Sequence, residues 1–161
     1  MVGAKKFLSN RLMLAVGLAV AMLVSASPAI AQGALTGVIV DFPPGVVDVQ
    51  DLAGNDVGQG EHTGTVRCYD GNCGQKTELQ FTSVTIEYKF KDLVALDQIA
   101  ERAVVTGTGV ISSGDGKAKF LFTATFQNVE GGSVMVSYVA SRPDASFILT
   151  APGTFTLVER P

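Results

Sequence analysis

The chain has 161 residues, of which 47% are hydrophobic and 17% are charged, with 18 glycines, two cysteines, one histidine and no tryptophan. This composition excludes an intrinsically disordered chain and suits one globular domain. A single histidine and two cysteines also leave little material for a zinc site, which is built from several such side chains.

The start of the chain has the three-part pattern of a secretory signal peptide over residues 1–31. Its cations are Lys5, Lys6 and Arg11. An uncharged apolar stretch follows over residues 12–24, shorter than the roughly 20 residues that span a bilayer. Ala29 and Ala31 then provide the small residues of a cleavage motif. We therefore predict cleavage before Gln32 and no permanent membrane anchor.

Cleavage at this position gives a single domain, residues 32–161, that is secreted or periplasmic. The domain holds all 15 acidic side chains and nine of the 12 basic ones, so its formal net charge is −6. The only close pairs of lysines are Lys89/Lys91 and Lys117/Lys119, which we interpret as the solvated faces of strands. Without a basic stripe, nucleic acid is excluded as a partner.

Alternation of apolar and polar residues dominates the domain, which is rich in the β-branched residues Val and Thr and so favours strands. The first predicted strand covers residues 34–41 and ends at Pro43 and Pro44. From Gly45 to Gly64 glycines and acids interrupt the alternation, and we predict a long surface loop there.

Two interpretations of the segment from Gly45 to Gly64 stay open. It is either an acidic, solvated connector or a calcium site, because hard cations prefer oxygen ligands. Its acids are Asp48, Asp51, Asp56 and Glu61. Their spacing matches neither an EF-hand nor the repeat of a calcium-binding β-helix. We expect the neighbouring His62 to be an exposed imidazole.

Cys68 and Cys73 follow a short predicted strand over residues 65–69 and are separated by four residues that contain Asp-Gly-Asn. This turn chemistry folds the chain back and brings the two thiols together. A redox pair would have two intervening residues at a helix start, and a zinc site would need four ligands. We predict one structural disulfide between Cys68 and Cys73.

Residues 77–91 form a long strand pattern whose alternation slips at Thr82 and Ser83, and we attribute the slip to a β-bulge. The segment 92–102 fits two patterns. It is either one or two helical turns, capped by its first residue, or a strand that runs on into residues 104–111. Both interpretations stay open at this point.

Three antiparallel strands joined by glycine-containing turns are predicted next, over residues 104–111, 117–127 and 133–140. One face of the second strand is apolar, with Phe120, Phe122, Ala124 and Phe126. Gly107 and Gly109 allow close packing within the first of these strands, since the third glycine and the helix of a nucleotide-binding turn are lacking.

The C-terminal part of the chain is predicted to hold a turn with an ion pair at Arg142-Pro143-Asp144, followed by strands over residues 147–149 and 154–158. About eight strands in a domain of this length, separated by regular turn signals, predict an all-β fold. We expect an antiparallel β-sandwich or a small β-barrel, with one disulfide and at most one short helix.

For function, we expect an exported, non-catalytic β domain with a binding or structural role in the periplasm or outside the cell, because no catalytic arrangement stands out. One alternative is a small β-barrel that binds an apolar small molecule. Its lining would be Phe120, Phe122, Phe126 and Tyr138. A less favoured alternative is an enzyme that uses His62 or loop carboxylates. The sequence names no catalytic residue, metal ligand or cofactor, and leaves the ligand, the partner and the oligomeric state open.

Overall fold

The computed structural model describes residues 34–159, and nearly all of them lie in ten β-strands. The strands are β1 Leu35–Gln50, β2 Asp56–Tyr69, β3 Asn72–Gly74, β4 Lys76–Gln80, β5 Val84–Asp97, β6 Arg102–Ser113, β7 Gly116–Val129, β8 Ser133–Ala140, β9 Phe147–Pro152 and β10 Thr154–Glu159. Within the described residues, one 3₁₀ turn at Pro143–Ala145 is the only helical element. The all-β prediction is therefore confirmed.

The strands close into an antiparallel β-barrel. β1 pairs with β2, β2 with β4 and β4 with β5, and the ladders then run in chain order from β5 to β9. β9 pairs back onto β1 at Val49–Leu149 and Gln50–Ile148, which completes the ring. β3 pairs with β2 next to β4, and β10 follows β9 in the chain and pairs with the first part of β1. A ring of this size is just wide enough for side chains to fill it.

The barrel interior is an apolar core supplied by alternate residues of each strand. On β7, Phe120, Phe122, Ala124 and Phe126 are all 0–4% exposed, as the alternation predicts. The core also includes valines of β1, β2, β6 and β8 and larger apolar side chains of β4, β5 and β9. Burying each of these side chains contributes roughly 1.5–3 kcal/mol, so the filled interior is the main source of stability.

The predicted surface loop from Gly45 to Gly64 is wrong: these residues form most of a long hairpin between β1 and β2, whose turn is only residues 51–55. β1 also continues through Pro43 and Pro44 instead of ending there. The two prolines lie in a register shift between Phe42 and Gly45. The ladder does not need their backbone N–H groups there, so the lack of these groups does not end the strand.

The predicted β-bulge at Thr82-Ser83 is also wrong, because the chain reverses there. β4 and β5 form a tight hairpin in which Leu79 lies opposite Ile86. Odd positions on β4 therefore share the inner face with even positions on β5, which explains the slip in alternation. The register shifts of β5 lie further on, the first of them between Phe90 and Asp92.

Neither interpretation of the segment 92–102 is correct, because its first part is strand and its last part is a turn that reverses the chain. β5 continues to Asp97, and a short turn then leads into β6. The Asp97 carboxylate accepts hydrogen bonds from the backbone N–H groups of Ile99 and Ala100, which stabilises this turn.

The predicted disulfide is confirmed: Cys68 on β2 is bonded to Cys73 on β3. The two residues lie opposite each other in the ladder, and Asp70 and Gly71 take the positive φ angles of the turn between them. The turn at Arg142 is confirmed as well, with its guanidinium 2.8 Å from the Asp144 carboxylate.

The predicted signal peptide, residues 1–31, and the cleavage position before Gln32 lie outside the described residues. Within residues 34–159, no helix is long and apolar enough to cross a membrane.

Candidate functional site

His62 lies inside the barrel and not on its surface, so the prediction of an exposed imidazole is wrong. Its side chain is 1% exposed, and its ring packs edge-on against Phe42 with centroids 4.6 Å apart. The alternation of β2 explains the position, since Val66 and Cys68 are buried and His62 lies on the same face, two and three alternations before them. Extending that alternation back across the glycines would have located His62 correctly.

A small polar network surrounds His62 in the core. The Tyr138 hydroxyl lies 2.9 Å from His62 Nε2 and 2.7 Å from Thr77 Oγ1. The Tyr138 ring stacks on Tyr88 at 3.8 Å, and the Tyr88 hydroxyl donates a hydrogen bond to the Ala145 carbonyl oxygen. These hydrogen bonds satisfy the hydroxyl groups that the barrel removes from water.

The network is electrically neutral. Burial lowers the pKa of His62 to about 4, because the charged imidazolium would lose its hydration. The same desolvation raises the pKa values of Tyr88 and Tyr138 above that of a free phenol. His62 Nδ1 has no hydrogen-bond partner among the described residues. A neutral imidazole without an orienting carboxylate lacks the third group of a catalytic triad.

The predicted ligand-lining residues are brought together in the buried core, where their rings pack against one another. Phe120 and Phe122, Phe122 and Tyr138, and Phe126 and Tyr138 have ring centroids 6.2–6.4 Å apart. Contacts of this kind are typical of aromatic cores. A ligand in the middle of the barrel would have to displace these rings.

One end of the barrel has an apolar depression, which we call the barrel mouth. Its volume is about 490 Å³. It is lined by Phe81, Val84, Ile86, Ile111 and Phe147, and its polar rim includes Ser113, Asp115 and Asp144.

The strand ends position the residues of the barrel mouth. The turn between β4 and β5 supplies Phe81 and Val84, while Phe147 begins β9 and contacts Phe81 with ring centroids 5.6 Å apart. Tyr88 lies two residues beyond Ile86 on β5, so the polar network is one layer below the mouth. Alternation along the chain does not reveal this site, since only the hairpin register shows that these apolar strand ends meet.

Two of the four acids considered for calcium binding, Asp51 and Asp56, are engaged in local hydrogen bonds at the turn. Asp51 accepts from the backbone N–H groups of Ala53 and Asn55, and Asp56 accepts from that of Gly58. Across residues 34–159, no three His, Cys, Asp or Glu side chains are grouped so that they could hold a metal ion. The acids therefore stabilise the turn of the β1–β2 hairpin.

Gly107 and Gly109 of β6 allow the close packing that the sequence predicted. A Cβ on Gly109 would lie 2.1 Å from the ring of Phe120, its partner on β7. The ring therefore covers the backbone of β6 from inside the barrel.

These observations define the class of the molecule as a closed antiparallel β-barrel with a filled core and a buried, neutral polar network. Comparisons with protein-family models, with curated proteins and with solved structures gave no significant match. Clues to function therefore come from the surfaces that the barrel leaves open to other molecules.

Proposed function

We propose that the protein is an exported, non-catalytic β-barrel domain with a binding or structural role in the periplasm or outside the cell. The observation that carries the proposal is the burial of His62 in the aromatic core, where its imidazole is 1% exposed. The enzyme alternative that uses this histidine would need it to reach a substrate. The Cys68–Cys73 disulfide supports export, because disulfides persist in oxidising compartments.

Expression of the full chain in a bacterium, followed by cell fractionation and intact-mass measurement, tests the export proposal. We expect a periplasmic or secreted product with the mass of residues 32–161 less two hydrogens. An Ala31→Asp variant, which disrupts the cleavage motif, should keep the leader. A cytoplasmic product of full length with two free thiols would contradict the proposal.

A second candidate function is the binding of an apolar small molecule, and the barrel mouth favours it. Its volume of about 490 Å³ lies within the range of known small-molecule sites, and such sites occur at the mouths of β-barrels. The lining of the mouth is apolar and half-buried, whereas the rings deeper in the barrel are packed against one another. The ligand would therefore sit at the end of the barrel and not at its centre.

Fluorescence titration with the neutral dye Nile red tests this second candidate. An Ile111→Ser variant removes apolar lining, and we expect its affinity for the dye to fall about tenfold. Ile99→Ser is the matched control, because Ile99 is 87% exposed and lies in the turn between β5 and β6, outside the mouth. Equal affinities of the two variants would rule out binding at the mouth.

A further inference from the structure

The outer face of the barrel carries a second depression, across β5, β6 and β7, which we call the lysine groove. Its volume is about 610 Å³. Its lining includes Lys89, Thr108, Lys119, Leu121 and Ser141, and Lys91 lies at the register shift of β5.

The strand register explains why this face is concave. Thr108 on β6 lies between Lys89 on β5 and Leu121 on β7, and in the adjacent row Val110 lies between Glu87 on β5 and Lys119 on β7. Short side chains on the middle strand therefore form a floor between longer ones on the two flanking strands. Lys89 is directly opposite Thr108, about 5 Å away, and Lys119 is a diagonal neighbour, roughly 7–8 Å away, so both long side chains can reach one group above Thr108.

The groove concentrates positive charge on a molecule that is acidic overall. None of Lys89, Lys91 and Lys119 forms an ion pair with a described residue, whereas Lys76 pairs with Glu87 at the edge of the groove. That ion pair offsets the charge of Glu87, and Asp92 is the remaining acid beside the groove. Three ammonium groups beside one unpaired carboxylate leave a local excess of positive charge on a chain whose net charge is −3, and this excess favours an anion at this position.

An exposed apolar surface continues from the lysines. Leu121 is 66% exposed and Val139 is 49% exposed. They line an adjoining depression of about 600 Å³, which shares Lys91, Thr108 and Ser141 with the lysine groove. A ligand that filled both depressions would meet cations at one end and apolar side chains at the other.

We propose that the lysine groove binds a small amphiphilic anion with a carboxylate or phosphate head and an apolar stem. The head lies among Lys89, Lys91 and Lys119, where the Thr108 hydroxyl adds a hydrogen bond. The stem covers Leu121 and Val139, removing their exposed surface from water. This site goes beyond the proposed function and is separate from the barrel mouth, since Ile111 and Phe147 do not line it.

Calorimetric titration of the purified protein with monomeric dodecyl phosphate tests the proposal. We expect Lys119→Gln to weaken binding about threefold, and Lys89→Gln/Lys119→Gln about tenfold, as expected for exposed ion pairs. The matched control is Lys117→Gln, which removes the same charge from the same exposed face of β7 outside the groove. We expect less than about a twofold change in this control, and weaker binding of the wild type at high salt.

The apolar part of the proposal has its own variant. Leu121→Ser should weaken dodecyl phosphate binding about fivefold and leave the weaker binding of inorganic phosphate unchanged, since that ion has no stem. Thermal unfolding of each variant checks that the barrel is intact. We expect each variant to fold, because the substituted side chains are exposed.

Three results would overturn the proposal. One is equal weakening by Lys117→Gln and Lys119→Gln, which would indicate a general charge effect. Another is that inorganic phosphate binds as tightly as dodecyl phosphate, or that neither binds. The third is that the protein sediments with phosphatidylglycerol vesicles but does not bind monomeric dodecyl phosphate. This result would indicate that the protein binds a membrane surface. The outcome is independent of the Nile red titration, because Ile111→Ser leaves the lysine groove unchanged.

Discussion

Tyr138 shows how a single buried hydroxyl can position several core residues. Its oxygen is shared by His62 and Thr77, while its ring stacks on Tyr88. Three strands of the ring, β2, β4 and β8, are linked through this one oxygen. Because unsatisfied polar groups are costly in an apolar interior, the network favours one arrangement of these strands over its alternatives.

The burial of His62 predicts a loss of stability in acid. Its pKa is about 4 in the folded barrel and about 6.5 in the unfolded chain, so the unfolded chain takes up a proton at the higher pH. The stability linked to this histidine is fully present above pH 6.5 and is lost as the pH falls from 6.5 towards 4. We expect it to contribute about 2–3 kcal/mol to the fall in unfolding free energy between pH 7.5 and 4.5, measured by urea unfolding.

A His62→Gln variant isolates this contribution from that of the carboxylates. Gln can still hydrogen-bond the Tyr138 hydroxyl but does not titrate. Over the same pH range, the unfolding free energy of the variant should fall by about 2–3 kcal/mol less than that of the wild type. If both proteins show the same pH dependence, His62 is not buried in its neutral form.

At the level of elements, the sequence predicted the strands whose alternation is unbroken. β6, β7 and β8 lie within a few residues of their predicted limits, because Phe and Val alternate there with polar residues. It missed the β1–β2 hairpin, where glycines and prolines interrupt the pattern, although their conformations are compatible with a bulged strand. The barrel mouth was missed for a related reason, since it forms from strand ends whose proximity depends on register.

The disulfide is expected to stabilise one hairpin without being required for the fold. It closes a loop of few residues between β2 and β3, so it contributes about 2 kcal/mol in the chain-entropy model. A Cys68→Ala/Cys73→Ala variant should stay folded. Its unfolding free energy, measured by urea unfolding, should be about 2 kcal/mol lower than that of the wild type. Dithiothreitol should destabilise the wild type similarly and leave the variant unaffected. Complete unfolding on reduction would show that the barrel depends on the bridge.

At the level of the whole molecule, the ladders of the barrel differ greatly in length. β6 is paired with β7 along its whole length, from Arg102–Gln127 to Ser113–Gly116. β1 and β9 are paired at only two positions, Val49–Leu149 and Gln50–Ile148. The sequence left a sandwich and a barrel as alternatives because this short ladder, which decides between them, joins residues about 100 positions apart.

The short ladder between β1 and β9 predicts where the barrel opens first. Local opening is easiest where few backbone hydrogen bonds must break. In hydrogen–deuterium exchange followed by mass spectrometry, we expect peptides covering residues 146–153 to exchange faster than peptides covering residues 104–111.

A disulfide across the same ladder provides the control. Gln50 and Ile148 are opposite each other, so a Gln50→Cys/Ile148→Cys variant should slow exchange over residues 146–153 when oxidised and not when reduced. Faster exchange in residues 104–111 than in 146–153 of the wild type would contradict the prediction.

The pairing of β1 with β10 also constrains when the protein can fold. Leu35 lies opposite Glu159, so the wall beside the first strand is built from the last one. A nascent chain that does not yet include β10 leaves one edge of β1 without its neighbour over residues 35–41. This part of the wall is therefore completed only after β10 has been synthesised.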